Sequence, residues 1–217
     1  MRRAAMTGVA AIALVAIAAG CGGGGSSGSG TEGATDSAAP GQLTSSRFAG
    51  TLAIPRKPAP PLELQDSLGH SVDLRQFRGD AVIVTFVYVH CPDVCPLILD
   101  NLRAAQIELG GAADDAHMLA VSVDPEGDTP RAVYGFLAAH RITDRIPYLI
   151  GSRSELETIW HDWGIVSKRA PKRNDPDFVE HSAMIYGIDA SGRITTLYPS
   201  SFKPEEIAHD VPILASE

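Results

Sequence analysis

Residues 81–88, Ala-Val-Ile-Val-Thr-Phe-Val-Tyr, carry no charge and no glycine, and they run directly into VHCPDVCP, residues 89–96. Such a run, rich in valine and isoleucine, makes a strand buried on both faces. The stretch behind it places Ile98, Leu102, Ala105 and Leu109 at helical spacing and stops at Gly110-Gly111. A buried strand that turns straight into a helix belongs to a sheet covered by helices, because a crossover returns the chain to a parallel neighbour. Two cysteines sit at the turn, with three residues between them and each followed by proline. They can serve as a redox pair, as a metal clamp, or as a tight turn that contains sulfur.

The remaining pattern supports the same class. Leu62–Gln65 and Val72–Leu74 flank DSLGH, a hairpin-like opening ahead of the central strand. Met118–Val123 reads as a second buried strand, and Thr129-Pro130 supplies an N-cap and a first-turn proline for a helix to about His140. Tyr148–Ile150 is a short strand. Ser152 and Glu155 form a capping box for a helix whose stripe is Leu156, Ile159, Trp160 and Trp163, so those tryptophans belong to the core. Ala183–Asp189 and Arg193–Tyr198 pair across Ala190-Ser191-Gly192, and Pro204-Glu205-Glu206 begins a last short helix that Pro212 limits. The fold class is α/β, and in such sheets the reactive site lies at the carboxyl end of a central strand. Cys91 is there.

The N-terminal 47 residues carry no such pattern. Met1-Arg2-Arg3 and an apolar run to Gly20 describe an export signal over residues 1–20. AAGC at 18–21 resembles a bacterial lipobox, so Cys21 is expected to be the lipidated first residue; a retained membrane anchor is the alternative. Residues 21–47 are mostly glycine, serine, alanine and threonine, a flexible tether spanning roughly 25–30 Å. The domain is then 48–217, on the extracytoplasmic side of the membrane. A net charge of -8 argues against nucleic acid, whose phosphates favour clustered lysine and arginine.

The pair Cys91 and Cys95 suits chemistry better than stapling, since stabilisation by a disulfide grows with loop length and this loop is tiny. A helix start has unpaired N–H groups and a partial positive charge that favour a thiolate. With Cys91 at the helix start and Cys95 one turn in, their Cβ atoms stand about 5–6 Å apart, wider than the roughly 3.5–4.5 Å of a disulfide. A bridging metal relaxes that demand, which tilts the reading toward metal without excluding thiol exchange. Two soft thiolates select Cu(I) or Zn(II). A third ligand must come from elsewhere, and seven histidines are available. His90 points across the strand from Cys91. His70, His140 and His161 read as solvated, His117 begins a strand and His209 lies near the tail. His181 precedes a strand of the same sheet, after a long loop, but an isolated histidine is more often structural than a ligand.

FVYVHCPDVCP, VSVDPEGDTP and VEHSAMIYGID, in that order, resemble the three signature blocks of the Sco/SenC family over about Pro61–Phe202. The family consists of membrane-tethered copper chaperones of cytochrome c oxidase assembly. The resemblance implies a thioredoxin-like fold with an extra N-terminal hairpin and an added helical segment before the final hairpin. It further implies Cu(I) or Cu(II) held by Cys91, Cys95 and His181. The copper is destined for the Cu-A centre of cytochrome c oxidase subunit II, and other copper chaperones and thiol reductants are possible partners. In some members the same cysteines act as a redox pair that reduces the Cu-A cysteines. Asp124 matches the family's DP aspartate and reads equally as a turn residue. Gly127 stands where an arginine is common, and Val89 where a threonine is common. Lys168, Arg169, Lys172 and Arg173 lie ahead of His181, in a loop expected to be solvated, with a docking patch or a hinge as the alternative. A peroxiredoxin has a similar sheet, but it expects a threonine where Tyr88 stands.

Overall fold

The structure is a computed structural model and describes residues 47–143 and 145–217. The expected signal, Cys21 and the tether up to residue 46 lie outside the described residues. In chain order the first half comprises β1 (Thr51–Pro58), β2 (Glu63–Asp66), β3 (Ser71–Asp73), β4 (Ala81–Val87), α1 (Val94–Leu109), β5 (Ala116–Ser122) and α2 (Pro130–Ala139). There follow β6 (Tyr148–Ile150), α3 (Arg153–Trp163), β7 (Ser167–Arg169), β8 (Val179–His181), β9 (Met184–Ile188), β10 (Arg193–Pro199) and α4 (Pro204–Ala215). The main sheet has the order β1-β10-β9-β4-β5-β6-β2-β3, while β7 and β8 form a separate two-stranded ribbon.

The apolar run is the centre of that sheet. β4 pairs in parallel with β5 and antiparallel with β9, and every one of its residues is buried. The helices lie on both faces. On β9 the Tyr186 ring meets Trp163 of α3, whereas a side chain added at the next residue, Gly187, would meet Leu214 of α4. Successive strand residues point to opposite faces, so α3 and α4 cover opposite sides, with α1 packed beside α4. This is the expected α/β class.

Most expected elements form where the pattern placed them. The opening hairpin is β2–β3, turned by Asp66, whose Oδ1 accepts the N–H groups of Leu68 and His70. Thr129 Oγ1 caps α2 by accepting the Ala132 N–H, and the Ser152–Glu155 capping box closes in both directions. Several details differ, among them the ribbon β7–β8, which the sequence pattern did not show. β1, at the sheet edge, was not anticipated: Pro55 and Pro58 break its strand pattern, and an edge is where proline is tolerated. Pro212 does not limit α4, which continues to Ala215, because Ile207, Val211 and Leu214 are fully buried along one side and outweigh one missing backbone bond. And α1 begins at Val94, so Cys91 lies in the turn before the helix rather than at its start.

Candidate metal centre

The cysteine turn is built by the end of β4. The Cys91 N–H donates to the Tyr88 carbonyl at 3.3 Å, folding the chain back on itself before Pro92. Asp93 is the N-cap of α1, but its side chain makes no capping bond. Cys91 caps the helix in part instead. Its Sγ accepts the N–H of Cys95 at 3.4 Å, one of the orphan donors of the first helical turn. The offset from the helix therefore brings sulfur over the amide rather than stacking it on the helix surface.

The two cysteines are free thiols, and both are buried. The hydrogen bond from the Cys95 thiol pulls Cys91 well below the ordinary thiol range; the N–H groups of Asp93 and Cys95 add to this, against the cost of burial. The same bond, together with burial, pushes Cys95 up. One proton thus serves two sulfurs, with Cys91 the thiolate and Cys95 the thiol.

β8 brings His181 to this pair. Its Nε2 stands 3.7 Å from Cys95 Sγ, and its Nδ1 lies 3.0 Å from the Ser182 carbonyl oxygen. A carbonyl can only accept, so Nδ1 carries the hydrogen and Nε2 turns its lone pair toward the sulfur. An imidazole whose far nitrogen is fixed by a backbone carbonyl is the usual form of a histidine ligand. The Tyr88 ring meets the imidazole edge-on, centroids 5.5 Å apart, and the Tyr88 hydroxyl accepts the Val179 N–H at 3.4 Å. Burial pushes the Tyr88 phenol up to about 12, so it stays protonated. A cleft of about 340 Å³ opens beside the pair, lined by Tyr88, Cys91, Val94, Phe178 and His181 among others.

Among the described residues no group of three or more His, Cys, Asp or Glu side chains is set to hold an ion as it stands. Here one proton is shared by the two sulfurs, and a metal entering must replace it. The spacing fits that exchange: an ion at about 2.3 Å from sulfur and about 2.1 Å from nitrogen joins atoms 3.7 Å apart at roughly 115°. Two thiolates and an imidazole form a soft set that suits Cu(I).

A buried network lies against the turn. Asp128 Oδ1 accepts the Val89 N–H, while its Oδ2 accepts the hydroxyls of Ser122 and Tyr148 at 2.6 and 2.8 Å. Burial pushes Asp128 up to about 6 despite those bonds. Asp124, 2% exposed, receives the Arg169 guanidinium on both oxygens at 3.3 and 3.2 Å. Arg169 thereby departs from the solvated-loop reading, whereas Lys172 is exposed, as that reading expects, with its ammonium 3.2 Å over the Phe178 ring.

The structure brings Cys91, Cys95 and His181 together and leaves the other histidines elsewhere. His70, His117, His140, His161 and His209 each face a nearby aspartate, and His90 is exposed. Sequence reasoning passed over Tyr88 and Asp128 as parts of this site. The strand period offered a signal for Tyr88, which sits three residues before Cys91; nothing local distinguished Asp128 from a turn residue.

Comparison with known proteins agrees with this geometry. Residues 55–216 match SCO1/SenC as a family. The human mitochondrial SCO2 homolog is 30% identical over 151 residues, covering 68% of this chain and 56% of its own length. The chain thus spans about half the length of the curated mammalian relatives it matches. The structure of Bradyrhizobium japonicum ScoI with copper bound is similar at a TM-score of 0.65 and 28% identity, covering 73% of this chain and 99% of that one. BsSco, a member of the Sco family of cytochrome c oxidase assembly proteins in which a disulfide switch has been identified, is similar at a TM-score of 0.60 and 25% identity, covering 74% and 95%. The thioredoxin-like sheet, the cysteine turn and the ribbon histidine all fall within the matched stretch, and the chain belongs to the SCO1/SenC family.

Proposed function

We propose that this protein is a copper chaperone, not an enzyme, that binds one copper ion through Cys91, Cys95 and His181 and delivers it during cytochrome c oxidase assembly. One observation carries the reading: Nε2 of His181, freed by the Ser182 carbonyl, faces the sulfur of Cys95 at 3.7 Å. Copper bound to the Bradyrhizobium relative and the assembly role of the BsSco family support it. The finer destination is the Cu-A centre of subunit II. The domain would work outside the cytoplasm, held at the bacterial membrane by lipid on Cys21 and by the tether. No helix among the described residues is long and apolar enough to cross a membrane.

A second reading is a thiol-disulfide reductase acting on the Cu-A cysteines. The thiolate character of Cys91 favours it, and so does the disulfide switch of BsSco. Titration of the full-length chain in detergent with Cu(I), against a competing chelator, separates the two. The chaperone takes up one ion, loses it on Cys91→Ser or Cys95→Ser, and binds more weakly on His181→Ala. Full reductase activity toward a Cu-A disulfide in His181→Ala, with no one-to-one Cu(I) uptake in the wild type, would decide for the reductase.

A further inference from the structure

The strands that carry His181 stand outside the main sheet, and each is three residues long. A two-stranded ribbon of that size is not stable alone, so the place of His181 depends on what pins the ribbon to the body. Three bonds do so. The Val179 N–H donates to the Tyr88 hydroxyl, the Ser167 hydroxyl donates to the Val123 carbonyl at 2.8 Å, and Arg169 grips Asp124. The last differs in kind. The Asp124 side chain is almost wholly buried, and among the described residues Arg169 is its one charged partner. A buried carboxylate without its cation is costly, so this pair resists separation more than an exposed ion pair does.

Gly127 makes that seat possible. A Cβ there would stand 2.2 Å from Asp124 Oδ2 and 2.9 Å from His90 Nδ1, so any larger residue must displace the carboxylate. The loop bearing Asp124 is itself fixed to the cysteine turn: the Val123 N–H donates to the Val87 carbonyl at 2.9 Å, and the Val89 N–H to Asp128 at 2.9 Å. Across the ribbon, Arg169 pairs with Val179 and Ser167 pairs with His181. A displacement at Arg169 is thus carried to the imidazole through one short strand pair.

We propose that Arg169, seated on Asp124 in the space left by Gly127, is the positioning residue that holds His181 against the Cys91 and Cys95 sulfurs. This rests on the copper reading above and names how its third ligand is placed. Glu126 and Asp177 lie 3.3 and 3.4 Å from the same guanidinium and keep it charged and directed while Asp124 fixes its depth.

A double-mutant cycle on the full-length chain in detergent tests this, read as Cu(I) affinity against a competing chelator. Arg169→Ala should weaken binding about tenfold when His181 is present, as expected for a residue that orients a metal ligand. In the His181→Ala background it should change binding by less than about twofold. Gly127→Ala, which removes no charge, should reproduce the loss. Arg169→Lys should restore part of it. In the copper-free protein, amide exchange at Val179–His181 should quicken in Arg169→Ala while β4 keeps its protection. Unchanged affinity, an equal loss in both backgrounds, or faster exchange throughout β4 each overturns the proposal, the last two because Arg169 would then act on the fold. A wild type that takes up no Cu(I) fails differently: the copper reading falls, and the positioning role falls with it.

Discussion

The two halves of the candidate metal centre are held in opposite ways. The sulfurs hang from β4, a strand paired on both edges and buried along its whole length. The imidazole hangs from a ribbon outside that sheet, fixed by the buried Val179 side chain, two single hydrogen bonds and the ion pairs of Arg169 with Asp124 and Glu126. The dithiol therefore shares the stability of the domain, while the third donor keeps only the stability of its pins. On the proposed chaperone function, this difference separates the donors that would define the site from the one that would close it.

The contrast can be broken at several depths. Phe86 is fully buried on β4 and touches Trp163 and Tyr186. Phe86→Ala should cost about 3–5 kcal/mol, read from urea unfolding, and should loosen both halves together. Asp128 acts on the cysteine half through the Val89 N–H. With its carboxyl raised from 3.8 to about 6, the folded protein binds more protons than the unfolded chain between those values. Its contribution is then fully present below pH 4 and is lost as pH rises through 6. At about 1.4 kcal/mol per unit, the stability of wild type relative to Asp128→Asn should improve by about 2 kcal/mol as pH falls from 6 to 4. A difference flat across that window would show that Asp128 titrates normally. Tyr88→Phe touches the ribbon alone. It removes the acceptor for the Val179 N–H while keeping the ring on His181, and should cost about 1 kcal/mol, with faster amide exchange at Val179 and unchanged protection in β4.

The cysteine half was legible because its signals are local. An uncharged β-branched run, two cysteines and a helical stripe lie within about thirty consecutive residues, and each acts on its neighbours. Even there the helix start was misplaced by three residues, since a turn before a helix and its first turn carry the same prolines. The histidine half gave weaker local signals. Ser167–Arg169 and Val179–His181 are too short to show a period, and an arginine in a charged loop reads as solvated until its partner is known. His181 was singled out among seven histidines by its signature block, not by its spacing.

The amino-acid sequence by itself determined the class of sheet, the strand that ends at the cysteines, and the soft chemistry that a dithiol offers. These follow from periodicity and residue type, which act over a few positions of chain. Tertiary structure alone decided that Nε2 of His181 faces Cys95 across 86 residues, that Tyr88 holds that ring, and that Asp124 is buried with Arg169 as its counter-charge. Those contacts join distant segments, and their energy depends on burial and direction that no local pattern encodes.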